Sequence, residues 1–370
     1  MLEGTAFEPD WATPPGATIA DILCARSLSR EYLAKAIGVP IEAVQRILLG
    51  LDSIDSEIAD KLSDYLGSSP NFWLRRQEQY QSDLARIRKG KENLAQEAWV
   101  KQFPLREMVS LGWIPQSSSF SDAAKLCLKF FDVPNVPSWH ERYAGNATAV
   151  AFRIASTGKT DPGAVCAWLR WAELVATRTP TAAWDSEKFR RSLTEIRRLS
   201  WLKRPSIFLP RLRKICADSG VSVVVARTPK GCPASGATRF LTPTRALMVL
   251  SFRYRSDDQF WFTFFHEAGH LLLHGPDALF LEDSSEVTSL EESEANLFAE
   301  RVLIPKEHAD EFATLRPTRQ NVITFSRRIG IAPGVIVGQL QHKKIIGHEN
   351  LTRLKRRYDW DEIEVDQLIP

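Results

Sequence analysis

The chain has 370 residues, 44% hydrophobic and 25% charged, with a formal net charge of +3. That length predicts two or three folding units with real cores. The longest apolar stretches, such as Phe260–Phe265, fall far short of the ~20 residues a membrane helix needs, which excludes a helical membrane protein. Five cysteines, at 24, 127, 166, 216 and 232, form no CxxC pair. They fit reduced thiols in a cytoplasmic protein better than a disulfide framework.

Residues 1–15 read as a flexible arm: prolines and glycines without apolar periodicity, acidic, and without the basic-then-apolar pattern of a signal peptide. From Thr18 to about Leu66 the pattern is helical and tightly punctuated. Ser29 caps a helix from Arg30 to Ile37 that Gly38 closes, Pro40 opens another that ends at Gly50, and a third runs from about Asp55 to Leu66. Residues 71–88 read as a charged, solvated helix leading out of this first domain, 16–80. Residues 81–204 are expected to be a mostly helical connecting region, rich in tryptophan, with loops at 113–119, 133–138 and 156–163. Val221–Ala226 and Leu247–Phe252 have the β-branched or apolar character of two strands in a small sheet. Helices are expected at Gln259–His274 and Glu291–Val302, then at about Arg319–Ile329 and Pro333–Lys343. A charged tail, 346–370, offers no pattern.

The chemistry concentrates in His266-Glu267-Ala-Gly-His270. Histidines at i and i+4 stand on one helix face, where both imidazoles can reach one cation. Glu267 sits beside that face, placed to take a proton from a metal-activated water and pass it to a leaving amine. The competing reading is a buried histidine pair satisfied by backbone groups. Catalytic zinc takes three protein ligands and keeps one position open, so a third must come from elsewhere. The helix beginning at Glu291 is the best source. Glu292 and Asn296 form an i, i+4 pair, one able to ligate while the other hydrogen-bonds a liganding histidine. Glu294 competes for the ligand role and Glu291 is the weaker option; acids here could also serve only the helix N-terminus. His274 continues the i+4 series one turn too far to be a ligand and reads as a residue supporting the liganding histidines or a solvated one; His342 reads as a surface histidine, with an oxyanion contact as the alternative.

These residues carry a resemblance. FWFTFF joined to HEAGHLLLH, then EESEANLFAERVLIP, with Gly236-Ala-Thr-Arg239 and IAPGVIVGQLQ at 331–341, resembles the ImmA/IrrE family of metallopeptidases over about 205–345. The resemblance implies a gluzincin-like zinc site with His266, His270 and Glu292 as ligands and Glu267 as base. It also implies a cytoplasmic protein, and some such proteins cleave a partner repressor. LSREYLAKAIGVPIEAVQRILLG and the Ser-Pro-Asn-Phe-Trp-Leu that follows resemble the HigA-like helix-turn-helix of the Xre group. In that fold the helix from Pro40 would enter the major groove of duplex DNA. Arg30, Gln45 and Arg46 are the candidate DNA contacts, with Arg26 and Lys35 nearby, although Glu42 opposes phosphate. Dimers are common in such modules, so a homodimer is expected by analogy.

The expected architecture is therefore α+β: an all-α helix-turn-helix domain, a helical middle region and a zincin-like domain with a small sheet. The favoured function is a zinc endopeptidase that cleaves a partner protein, such as a repressor or antitoxin. The competing readings are a transcriptional regulator or antitoxin whose peptidase-like domain acts as a sensor, and a toxin–antitoxin fusion.

Overall fold

A computed structural model describes residues 9–144, 160–275, 280–282 and 290–363. The first part of the expected arm, the first half of the loop at 156–163 and the last residues of the tail lie outside the described residues. By internal contact the chain divides into two units, 1–97 and 98–370.

In the first unit, helices α1 (Pro15–Ala25), α2 (Arg30–Ile37), α3 (Ile41–Leu48) and α4 (Ser56–Leu66) precede α5 (Pro70–Val100). Ser29 Oγ accepts from Tyr32 N at 3.1 Å and Asp55 Oδ1 from Ile58 N at 2.8 Å, caps each worth ~1 kcal/mol. Gly38, with φ of 69°, takes the left-handed conformation that ends α2. Ile19, Leu33, Ile37, Val44, Leu62 and Trp73 close the core between them. Helix α5 is longer than the charged pattern at 71–88 suggested, and runs unbroken for 31 residues.

The second unit is built on a four-stranded sheet. Before it come α6 (Leu105–Ser110), α7 (Phe120–Phe131), α8 (Val136–Ala144), α9 (Pro162–Arg178), α10 (Ser186–Leu199) and α11 (Pro205–Ala217). The strands are β1 (Val221–Val225), β2 (Gly236–Thr242), β3 (Arg245–Leu250) and β4 (Phe280–Glu282), in the order β1-β3-β2-β4. β1 pairs parallel with β3, and β2 runs antiparallel to both β3 and β4. The sequence pattern indicated only β1 and β3. β2 opens on a glycine and carries polar residues, and β4 is three residues long, so neither has the apolar signature of a strand.

Both faces of the sheet are covered, which is why every residue of β1 is buried. Val221, Val223, Val225, Met248 and Leu250 face a core shared with α10 and α11. The same core takes in α12 (Asp257–Leu273), α13 (Leu290–Leu303), α15 (Arg319–Ile329) and α16 (Pro333–His342); the short α14 (Ala309–Ala313) adds Phe312. Val224, Leu247 and Val249 face the other way, onto Trp99, Trp139, Trp168 and Trp171. The tryptophan-rich stretch thus forms one layer of this unit, packed on the sheet. Trp168 Nε1 donates to Ala226 O at 3.1 Å across that layer.

The described part of the charged tail is ordered against the start of α12. Tyr358 and Ile363 are buried. Tyr358 N donates to Arg255 O at 2.8 Å, Asp257 N to Arg356 O at 3.0 Å, and Arg356 N to Asp257 Oδ1 at 3.0 Å. Lys355 Nζ pairs with Asp258 Oδ2 at 2.5 Å. On the neighbouring side, α16 approaches through Gly334 and Gly338, one turn apart. A Cβ on Gly334 would lie 2.5 Å from the Asp257 carboxylate oxygens, and one on Gly338 2.7 Å from Asp258 Cβ.

Asp257 supplies a pH test of this packing. Burial pushes its carboxyl up to about 7 from an ordinary value of 3.8, against the backbone N–H of Arg356, which favours the charged form. Between those two values the folded chain keeps a proton that the unfolded chain has released. Stability from this group therefore falls as pH rises through the window and levels off above it. Asp257→Asn keeps the amide-accepting oxygen but does not titrate. Its urea midpoint relative to wild type should climb between about pH 4 and pH 7, whereas an offset independent of pH would contradict the assignment.

Candidate metal centre

Phe260, Trp261, Phe264, Phe265 and Ala268 anchor α12 in the core, and the polar motif is carried inside with them. His266 and His270 are 1% exposed and Glu267 is fully buried. Helix α13 lies along α12, and the approach depends on Gly269. A Cβ there would sit 3.2 Å from Ala295 Cα and 3.3 Å from Ala295 O. This close crossing brings Glu292 and Asn296 to the histidines.

The nitrogens His266 Nε2 and His270 Nε2 are 2.9 Å apart. Glu292 Oε2 is 3.1 Å from the first, and Glu292 Oε1 is 3.4 Å from the second. Among the described residues, this trio forms the one group of three His, Cys, Asp or Glu side chains able to share an ion. Tetrahedral zinc with donors at ~2.0–2.1 Å requires donor–donor separations of ~3.3 Å, which these distances approximate.

Hydrogen-bond logic tests the fit independently. Asn296 Oδ1 lies 2.9 Å from His266 Nδ1, and as an acceptor it requires the proton on Nδ1. A carboxylate oxygen of Glu294 lies 3.0 Å from His274 Nε2, and His274 Nδ1 lies 3.0 Å from His270 Nδ1. Since the carboxylate can only accept, His274 carries its proton on Nε2 and accepts from His270 Nδ1–H. Both His266 and His270 then turn an Nε2 lone pair toward the same point as the Glu292 carboxylate. Burial pushes the His270 imidazole down, toward the neutral form. The Glu292 carboxyl lies beside both rings and is ionised at neutral pH. Two neutral imidazoles and a carboxylate are the ionisation states a divalent cation requires, so the residues present fit zinc.

Glu267 has its carboxylate against β2. A Cβ on Gly236 would come within 2.6 Å of Glu267 Oε1 and 2.7 Å of Thr263 Cγ2, so only glycine leaves this space open. Neither this role nor that of Gly269 was visible in the linear pattern. The available hint was a glycine inside a strand or helix, which marks close approach of another group. Glu294 lies two residues from Glu292 yet contacts His274 rather than the trio, and Glu291 is outside the trio. His342 is 62% exposed at the side chain and 3.7 Å from Glu300.

In the first unit, Arg30, Gln45 and Glu42 are exposed. Arg46 is held by Asp52 in a two-pronged pair, Nε to Oδ2 at 2.9 Å and Nη2 to Oδ1 at 2.8 Å. The sequence reading had left Asp52 out.

Gly269→Val would drive two methyl groups into the Ala295 backbone. It should destabilise the fold by about 1–3 kcal/mol, read as a lower urea midpoint. An unchanged midpoint would contradict the close crossing of the two helices at Gly269.

Residues 218–341 match the family model described as the IrrE N-terminal-like domain, a peptidase family, and residues 19–73 match the helix-turn-helix model. Among solved structures, an addiction module antidote protein of the HigA family from Coxiella burnetii is 35% identical. The match covers 21% of this chain and 85% of that one, with a TM-score of 0.20. An antidote protein of a plasmid maintenance system from Nostoc punctiforme is 32% identical over 22% of this chain and 89% of its own, with a TM-score of 0.21. No curated relative matches the chain. The chain therefore joins an N-terminal segment that matches a helix-turn-helix model to a domain, at residues 218–341, that matches the IrrE-like peptidase model.

Proposed function

We propose that the protein is a zinc-dependent endopeptidase with a regulatory role, cleaving a partner protein such as a repressor or antitoxin. The observation that carries this reading is the convergence of His266 Nε2, His270 Nε2 and the Glu292 carboxylate on one point, with a buried Glu267 one residue along the same helix. His266, His270 and Glu292 would hold the ion. When bound, zinc supplies Lewis acidity toward a peptide carbonyl and toward a water molecule.

The protein's own part is proton handling and orientation. Glu267 takes a proton from the attacking water as its oxygen bonds to the carbonyl carbon. As the C–N bond breaks, the same carboxyl delivers that proton to the departing amine. Gly236 keeps room for the carboxylate, and Asn296 fixes the His266 ring.

The test begins with elemental analysis and a quenched fluorescent peptide library. Wild type, Glu267→Gln and Gly236→Ala should each hold about one zinc per chain, and His266→Ala none. Cleavage should be confined to wild type, with losses of at least about a hundredfold for Glu267→Gln. A wild-type protein that takes up no zinc when it is supplied would sink the reading.

The helix-turn-helix motivates a docking role for the first unit, on duplex DNA or on the partner to be cut. Arg46 can meet a phosphate only by leaving Asp52. Asp52→Ala should therefore tighten binding to a generic DNA duplex and steepen its salt dependence by about one phosphate contact. If neither changes in a fluorescence anisotropy titration, α3 does not face DNA.

A further inference from the structure

Beyond the trio and Asn296, α12 carries a third histidine in the same i+4 series. His274 is the C-cap of α12, its backbone N–H bonded to His270 O at 3.1 Å. Its side chain is only 6% exposed, whereas Glu294 beside it is half exposed. Both ring nitrogens of His274 are engaged, Nδ1 with His270 Nδ1 and Nε2 with Glu294 Oε2, each at 3.0 Å.

We propose that Glu294 and His274 are positioning residues that act through His270: a carboxylate–imidazole chain that sets which nitrogen of His270 faces the metal. The inference rests on the reading of His266, His270 and Glu292 as ligands. The direction of the chain follows from chemistry. Glu294 accepts from His274 Nε2–H, so His274 Nδ1 must accept, and His270 must donate from Nδ1. The Nε2 lone pair of His270 is then committed to the metal side. Each liganding histidine thereby has its own outer partner, Asn296 for His266 and the His274–Glu294 pair for His270. The negative end of the chain makes His270 a stronger donor than a solvated imidazole. His274 is not a fourth ligand, because its two nitrogens already face His270 and Glu294.

The experiment measures zinc affinity by competition with a chromophoric chelator, in the full chain. Fold is checked by circular dichroism and ring tautomers by nitrogen-15 NMR of the zinc-free protein. His274→Phe and Glu294→Ala should each weaken zinc binding about 10- to 100-fold. The double variant should be no weaker than His274→Phe alone, because both changes cut one chain. Glu294→Gln, which keeps an acceptor, should recover part of the loss. In zinc-free wild type His270 should be in the Nδ1–H form, and in His274→Phe this preference should be lost, a change that general destabilisation does not produce.

Wild-type affinity in both His274→Phe and Glu294→Ala would overturn the proposal. So would a loss in His274→Phe as large as that in His270→Ala, which would make His274 a ligand. His266→Ala separates the two failures: if it binds zinc as tightly as wild type, the ligand reading itself has failed.

Discussion

Two imidazole nitrogens lie 2.9 Å apart in the interior, both beside one carboxylate. As neutral rings each presenting a lone pair there, they repel one another and the carboxylate, and burial weakens the screening. Such a cluster is costly by itself and becomes favourable around a shared cation. Much of the unit's construction can be understood as holding these groups in place. The apolar residues flanking the motif bury α12 deeply enough that its polar groups cannot turn to solvent. The hydrogen bonds at Asn296 and His274 then leave each ring one orientation.

Holding a helix so closely requires neighbours without bulk, and glycines provide this on three sides. Gly236 admits the Glu267 carboxylate to β2, Gly269 admits α13, and Gly334 with Gly338 admits α16 to the acids at the start of α12. A glycine within a helix or strand costs about 0.5–1 kcal/mol relative to alanine, so each position trades local stability for proximity. This gives a physical reason for GATR at 236–239 and APGVIVGQLQ at 332–341 to accompany HEAGH. They are the surfaces that α12 packs against. The buried Asp257, raised toward neutrality, is a further cost of anchoring the tail and α16 on the helix's first turn.

What the sequence made legible was what repeats locally. His266 with His270, and Glu292 with Asn296, are i+4 pairs, and that spacing alone puts each pair on one helix face. Ser29, Gly38 and Asp55 marked helix ends by capping chemistry, which is also local. The illegible parts depend on distant residues. β2 becomes a strand because β3 and β4 offer it backbone partners on both sides, not because Gly236-Ala-Thr-Arg239 favours one. The tail at 355–358 has no periodicity, and it is ordered by Asp257 and Asp258, about a hundred residues earlier. The tryptophans between 99 and 171 carried no sequence-level chemistry because their role is to cover the second face of the sheet.

The helix-turn-helix poses a different problem, because its fold is clear and its electrostatics are ambiguous. Non-specific affinity for DNA comes mainly from neutralised phosphates. The exposed face of α3 offers Gln45, Glu42 and an Arg46 already neutralised by Asp52. An exposed ion pair contributes little to stability, so exchanging Asp52 for a phosphate is cheap and the pair alone does not prevent binding. Glu42 is the larger obstacle. It lies in the first turn of α3, the end that in DNA-binding helix-turn-helix proteins contacts base edges, and no exchange of partner removes its charge. Arg26, Arg30 and Lys35 lie exposed outside α3, so any phosphate contacts would come largely from the flanks. Such a module would hold DNA weakly as a single copy. Joined to a peptidase domain, weak attachment would still serve, since a tether has only to raise the local concentration of a substrate, not to hold an operator on its own.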